Sequence, residues 1–181
     1  MKLETQNRIV VLVLSFAFLS GALGIGRVTP AFSPTKAEAL EAQVVEKESN
    51  SGKLLAKFEN AHKLSDQELI ALLKAVGFEG KALREAWAIA KKESTGRPLA
   101  HNGNASTGDN SYGLFQINML GELGEARRAK FGLDSNAELL NPVVNAQIAY
   151  HMSDGGKKWG AWKGITPRTK EWIEKFPEGK P

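Results

Sequence analysis

Glu93 is the residue with the clearest capacity for chemistry. Leu83, Ala86, Trp87 and Ala90 recur at i, i+3, i+4 and i+7, so they share one helical face, and Glu93 continues that face at the helix's last turn. The neighbouring Lys91 and Lys92 are predicted to point elsewhere. A carboxylate at the end of an apolar stripe is partly desolvated, which favours the protonated form, and the negative end of the helix dipole acts in the same sense. A carboxyl group that holds its proton near neutral pH can serve as a general acid, the role that cleavage of a glycosidic bond requires. The plain alternative is a helix-terminal Glu that simply reaches water.

Residues 111–118 read SYGLFQIN and form a second feature. Gly113, between a polar loop and an apolar triplet, suggests backbone passing close to something. Gln116 is an amide among Leu114, Phe115 and Ile117, so it needs partners, either protein backbone or the hydroxyl and N-acetyl groups of a sugar. Asp109, in GDNSYG, borders the same stretch. It is either a second carboxylate able to activate water or a turn-forming Asp beside Gly108 and Asn110. Glu122 and Glu125 fall early in a following helix, where negative charge is structural. Tyr112, Trp159 and Trp162 could stack on sugar rings or serve as large core residues.

These residues must be held by a frame, and the composition allows one. The chain has 181 residues, of which 42% are hydrophobic and 24% charged, as in one ordinary globular domain with segments to spare. The net charge of +4 is spread along the chain rather than gathered in a stripe, which argues against nucleic acid as partner. A mildly basic surface would still help approach to an anionic polymer or membrane. With no cysteine, thiol nucleophiles, disulfides and thiolate metal sites are excluded. His62, His101 and His151 lack paired ligand spacing, so no metal or other cofactor is expected.

Four segments follow. Residues 1–25 carry Lys2 and Arg8 ahead of the apolar run Ile9–Ile25, which reads as a secretory signal or a signal-anchor helix. The run lies near the lower limit of the roughly 17–25 residues that span a membrane. Residues 26–63 read as a spacer or stalk, partly helical and interrupted at Ser49–Gly52. Residues 64–164 form the domain, and 165–181 a C-terminal tail with Trp172 and Phe176. Within the domain, the Ser65 and Glu68 capping box starts a helix over Leu69–Val76, and a second helix spans about 81–93. Residues 99–112 are read as a loop. A helix from Gly121 to about Lys130 follows, then a Ser135 and Glu138 box, then a helix from Asn141 and Pro142 through Met152. Strand signal is weak, so the fold class is mainly α.

The sequence AIAKKESTGRPLAHNG…DNSYGLFQIN resembles the catalytic domain of soluble lytic transglycosylases and goose-type lysozymes, especially the bacteriophage forms. The resemblance extends through NPVVNAQIAYHM and KKWGAWKG and covers about Leu64 to Gly164. It implies a lysozyme-like domain acting on peptidoglycan, on the β-1,4 bond between N-acetylmuramic acid and N-acetylglucosamine. Under it, Glu93 is the catalytic acid/base and Ser94 supports the helix end. Gly113, Leu114 and Gln116 line the glycan cleft, and Asn145 opens the late helix's motif; Tyr112 and Trp162 join them as expected substrate neighbours. The loop from Glu93 to Gly113 is longer than in short relatives, and Met152 stands where many relatives carry Tyr. Three readings remain: a transglycosylase with Glu93 as acid then base, a hydrolytic lysozyme with Asp109 assisting water, and an inactive wall-binding or structural protein. An exported or membrane-anchored protein facing the wall is expected, virion-associated if phage-encoded.

Overall fold

The structure is a computed structural model that describes residues 36–177. The expected signal or anchor helix at 1–25 and the start of the spacer lie outside the described residues. Within them run six α-helices and three two-residue strands: α1 Lys36–Ala56, α2 Asp66–Val76, α3 Gly80–Ser94, β1 His101–Asn102, β2 Ser111–Tyr112, β3 Ile117–Asn118, α4 Gly121–Phe131, α5 Pro142–Met152 and α6 Pro167–Glu174. Short 3-10 turns at Ala105–Thr107, Asn136–Leu140 and Gly160–Trp162 join them. The mainly α class agrees with the sequence.

The caps fall where the side chains predict. Ser65 receives the amide of Glu68 while the Glu68 carboxylate takes the Ser65 amide at 2.8 Å, and Gly77 closes α2 in the left-handed region. Asn141 Oδ1 accepts the amides of Val143 and Val144, and Pro142 opens α5. The Ser135 and Glu138 box does form, but it starts a 3-10 turn rather than an α-helix.

Helix α3 is the axis of the domain. Leu83 and the unbroken run Glu85–Ala90 are buried, so nearly its whole circumference is covered rather than one stripe. Phe78, fully buried ahead of α3, stacks at 6.5 Å on Phe115 and 6.0 Å on Trp159 and meets the edge of Tyr150 at 4.9 Å. Offset and edge contacts of this kind add about 0.5–1.5 kcal/mol each beyond burial.

Three boundaries differ from the sequence reading. Helix α1 runs unbroken through Ser49–Gly52, because one exposed glycine costs about 1 kcal/mol and the Ala, Glu, Lys and Leu around it are good helix formers. It lies against α2, and Phe58 just beyond it enters the core, so the spacer ends inside the domain. The supposed tail is also structural. Helix α6 packs along α3, with Trp172 and Phe176 edge-on to Trp87 at 6.0 and 5.5 Å. Finally, the 99–112 loop contributes β1 and β2 to a small antiparallel sheet in the order β1-β2-β3. Its pairs are His101 with Tyr112 and Asn102 with Ser111, then Ser111 with Asn118 and Tyr112 with Ile117.

Candidate active site

The segment GLFQ is the turn of the β2–β3 hairpin. The Gln116 amide donates to the Gly113 carbonyl at 3.1 Å, and both turn ends are left-handed, with φ of +73° at Gly113 and +45° at Gln116. This twist drives Leu114 and Phe115, both fully buried, into the core beside the end of α3. A buried turn leaves backbone groups without water, and each needs a protein partner.

Three distant side chains supply those partners. Ser94 Oγ lies 2.8 Å from the Leu114 carbonyl and 3.1 Å from that of Ala90, and it accepts the Arg97 amide at 3.2 Å. Asn145 Oδ1 accepts the Phe115 amide at 2.9 Å, while Nδ2 donates to the carbonyls of Tyr112 and Leu139, each at 2.9 Å. Trp162 Nε1 donates to the Phe115 carbonyl at 2.7 Å. Ser94, Asn145 and Trp162 are 2%, 0% and 5% exposed. They are clamps on the turn. Ser94 and Asn145, expected as substrate neighbours, are thus held inside the protein with their polar groups used on backbone, and the Trp162 indole N–H is spent in the same way.

Gly113 is required by sterics. A Cβ there would lie 2.2 Å from both Asn145 Nδ2 and the Leu139 carbonyl oxygen. The sequence reading that its backbone passes close to something holds, and the something is protein.

Glu93 ends α3 with its side chain 25% exposed. Thr95 then turns left-handed at φ +57° and closes the helix. The surroundings of Glu93 differ from expectation in one respect. Lys91 does point away, to Asp66 at 2.8 Å and over the Trp87 and Trp172 rings. Lys92 does not: its Nζ lies 2.9 Å from Glu93 Oε1 and donates to the Trp162 carbonyl at 3.0 Å. The long lysine stem bends across the helix end because two acceptors wait there.

Asp109 is taken up by the hairpin. Its Oδ2 accepts from Asn102 Nδ2 at 2.5 Å and its Oδ1 from the Ser111 hydroxyl, so both oxygens brace β1 against β2. Tyr112 is half-buried and stacks on His101 at 4.3 Å and 27°. Gln116 is half-buried; its Nε2 donates to Ala100 and Gly113 carbonyls at 3.1 and 3.0 Å, which leaves Oε1 as its free acceptor. With Asn118, Arg127 and Trp162 it lines a cavity of about 50 Å³, and burial pulls the pKa of the Arg127 guanidinium down. Of the expected site residues, then, Glu93, Tyr112 and Gln116 keep exposed surface.

A family model described as a lysozyme-like domain matches residues 70–164, just over half of the chain. The chain belongs to the lysozyme-like domain family. No curated protein and no solved structure matches it. Membership makes the protein a glycosidase- or transglycosylase-type domain with peptidoglycan as its substrate class. The matched span runs from α2 to the Gly160–Trp162 turn, and thus contains α3, the hairpin and all three clamps. It leaves out α6, although α6 covers α3.

Sequence reasoning missed two residues of this lysozyme-like domain. Lys92 was set aside because adjacent helical residues do not face one another; nothing local signals the Trp162 carbonyl that draws it over. Glu85 is the second. It is 8% exposed and accepts the Trp159 indole N–H at 2.9 Å, with Lys81 Nζ at 3.5 Å. By helical periodicity it lies opposite the Leu83, Ala86, Trp87 and Ala90 stripe, so nothing local signals its burial.

Proposed function

We propose that the protein is a lytic transglycosylase that cleaves the β-1,4 bond between N-acetylmuramic acid and N-acetylglucosamine. The observation that carries this reading is Glu93, a partly exposed carboxylate at the end of the buried helix α3, beside the clamped hairpin. Glu93 in its acid form donates its proton to the glycosidic oxygen as the bond to the muramoyl C1 breaks. The oxocarbenium-like centre at C1 is then attacked by the sugar's own 6-hydroxyl, whose proton returns to Glu93. The product is an anhydro sugar, and Glu93 ends in the state in which it began. No second carboxylate is consumed in this sequence. The engagement of both Asp109 oxygens within the hairpin favours it over the hydrolytic reading, in which a second carboxylate must activate water.

In this reading Gln116 Oε1 and the Tyr112 ring face the glycan, and the domain works on the wall side of a membrane, delivered by the apolar run Ile9–Ile25. The test is mass spectrometry of the products released from purified peptidoglycan by the full chain and by Glu93→Gln. Anhydro-muropeptides from the wild type and none from the variant are expected. Reducing ends would make the protein a lysozyme, and intact glycan would make it a wall-binding module.

A further inference from the structure

Lys92 occupies an unusual place for a lysine. Its side chain is 12% exposed, whereas lysines are almost never buried unless paired. Residues at i and i+1 of a helix do not face each other, so helix geometry alone does not produce its contact with Glu93. A second anchor does: the Trp162 carbonyl at 3.0 Å. That carbonyl is itself fixed, since the Trp162 indole is tied to Phe115 at 2.7 Å and its amide to Trp159 at 3.0 Å. The ammonium therefore spans from the end of α3 to the Gly160–Trp162 turn, and the carboxylate of Glu93 lies on that span.

We infer that Lys92 is a positioning residue for Glu93, fixing the carboxylate's orientation through the Glu93–Lys92–Trp162 bridge. The inference rests on the reading of Glu93 as acid/base. Its consequence is geometric. The carboxylate must reach the glycosidic oxygen and then the 6-hydroxyl of the same sugar, and a side chain held at one end by the bridge keeps that aim through both steps.

Other charged groups around this end of α3 do not share the role. Lys91 is paired with Asp66 of α2 at 2.8 Å, and Arg97 Nε donates to the Ser94 carbonyl at 3.0 Å. Arg127 of α4 is bonded to the Asn118 carbonyl, and Asp109 to Asn102 and Ser111. The turn packed against the helix end, GLFQ, carries no charge, and α6 presents Lys175 to Trp172. Among the described residues, the ion pair of Glu93 is with Lys92.

The experiment separates kcat from KM for the full chain on soluble peptidoglycan fragments, for wild type, Lys92→Arg, Lys92→Met, Lys92→Gln and Glu93→Gln. A reacting group that loses its aim costs up to about 10²-fold in rate, and the loss falls on kcat rather than on KM. Lys92→Met and Lys92→Gln, which lose the ammonium that spans both acceptors, are therefore expected to lower kcat by about 10- to 10²-fold with KM little changed, and Lys92→Arg to retain most of the wild-type kcat. Lys92→Gln keeps a donor for the Trp162 carbonyl and so keeps the test alive if Lys92→Met does not fold; thermal melts of each variant check this. A wild-type kcat in the folded uncharged variants would overturn the role of Lys92 while leaving Glu93 in place. A fully active Glu93→Gln would overturn both.

Discussion

Asn145 and Phe115 lie thirty residues apart, and the side-chain carbonyl of one accepts the backbone amide of the other at 2.9 Å with both residues fully buried. The same amide group donates to Tyr112 and Leu139, so one asparagine ties α5 to the hairpin and to the Asn136–Leu140 turn. A buried hairpin turn is a costly device, because its backbone leaves water. In this lysozyme-like domain the cost is offset by side chains from three separate parts of the chain, Ser94, Asn145 and Trp162. Their co-occurrence with GLFQ has a structural reason before any catalytic one.

Asn145→Ala should therefore destabilise the fold strongly. It strands two buried backbone groups, each costing about 1–3 kcal/mol, and a third that is part-buried. The loss expected is at least about 2 kcal/mol, and a melting temperature lower by roughly 5 °C or more. Asn145→Asp should be as damaging, since a carboxylate would face two carbonyl oxygens. A melt within 2–3 °C of the wild type, roughly the shift that 1 kcal/mol gives, would show that the clamp is dispensable.

Two glycines separate strain from crowding. Gly113 and Gly108 have nearly the same φ, +73° and +75°, yet a Cβ meets backbone at 2.2 Å only at Gly113, and nothing within 4 Å at Gly108. Gly108→Ala should cost only the left-handed penalty, about 1–2 kcal/mol. Gly113→Ala must also push aside the Leu139 carbonyl, adding about 1–3 kcal/mol, and it should lose activity with the displaced turn. Equal melting temperatures for the two variants would contradict the close approach.

Much of this fold is legible in the sequence because its signals are local. Ser65 with Glu68, and Asn141 with Pro142, mark helix starts by side chains that reach backbone within three residues. The stripe through Leu83, Ala86, Trp87 and Ala90 likewise needs only helical periodicity. What escapes are relationships made by tertiary packing. Helix α6 has an ordinary amphipathic pattern, and nothing in it announces that Trp172 meets Trp87. The Lys92 bridge depends on a carbonyl seventy residues away. At Asp109 the turn-forming reading and the catalytic one both fit GDNSYG, and only the positions of Asn102 and Ser111 separate them.

Asp109→Asn tests that separation. An amide offers one acceptor where the carboxylate offers two, so one of the Asn102 and Ser111 contacts weakens and the hairpin loses about 1 kcal/mol. Activity should stay within about fivefold of the wild type, since one general acid–base contribution is worth about 10²–10⁴. The products should remain anhydro-muropeptides. A loss comparable to that of Glu93→Gln would restore Asp109 as a catalytic carboxylate and with it the hydrolytic reading.

The α2 cap gives a pH prediction with a definite sign. Hydrogen bonds from the Ser65 amide and hydroxyl pull the Glu68 carboxyl below its ordinary value of 4.5. A depressed folded-state value means stabilisation that is fully present above the unfolded value and lost as pH falls through the folded one. Glu68→Gln preserves the box geometry without the charge. The stability difference between wild type and Glu68→Gln should shrink as pH drops from neutrality to below 4.5, and a difference constant with pH would remove the carboxylate from the account.

The boundary at residue 165 is the sharpest test of the architecture, because the matched family span stops just before α6. Trp87 is 1% exposed, and its neighbours at 6.0 and 5.5 Å are Trp172 and Phe176. Ending the chain after Ile165 would bare that ring beside the axis helix that carries Glu93. Full loss of a buried aromatic contact costs about 3–5 kcal/mol, and Trp172, being half-buried, should account for about half of that alone. Trp172→Ala is thus expected to lower the melting temperature by roughly 5 °C. The truncated chain should fall further, into aggregation on purification. A truncated protein that melts like the full chain would make α6 an appendage, and the end of α3 would then owe its rigidity to the clamped hairpin alone.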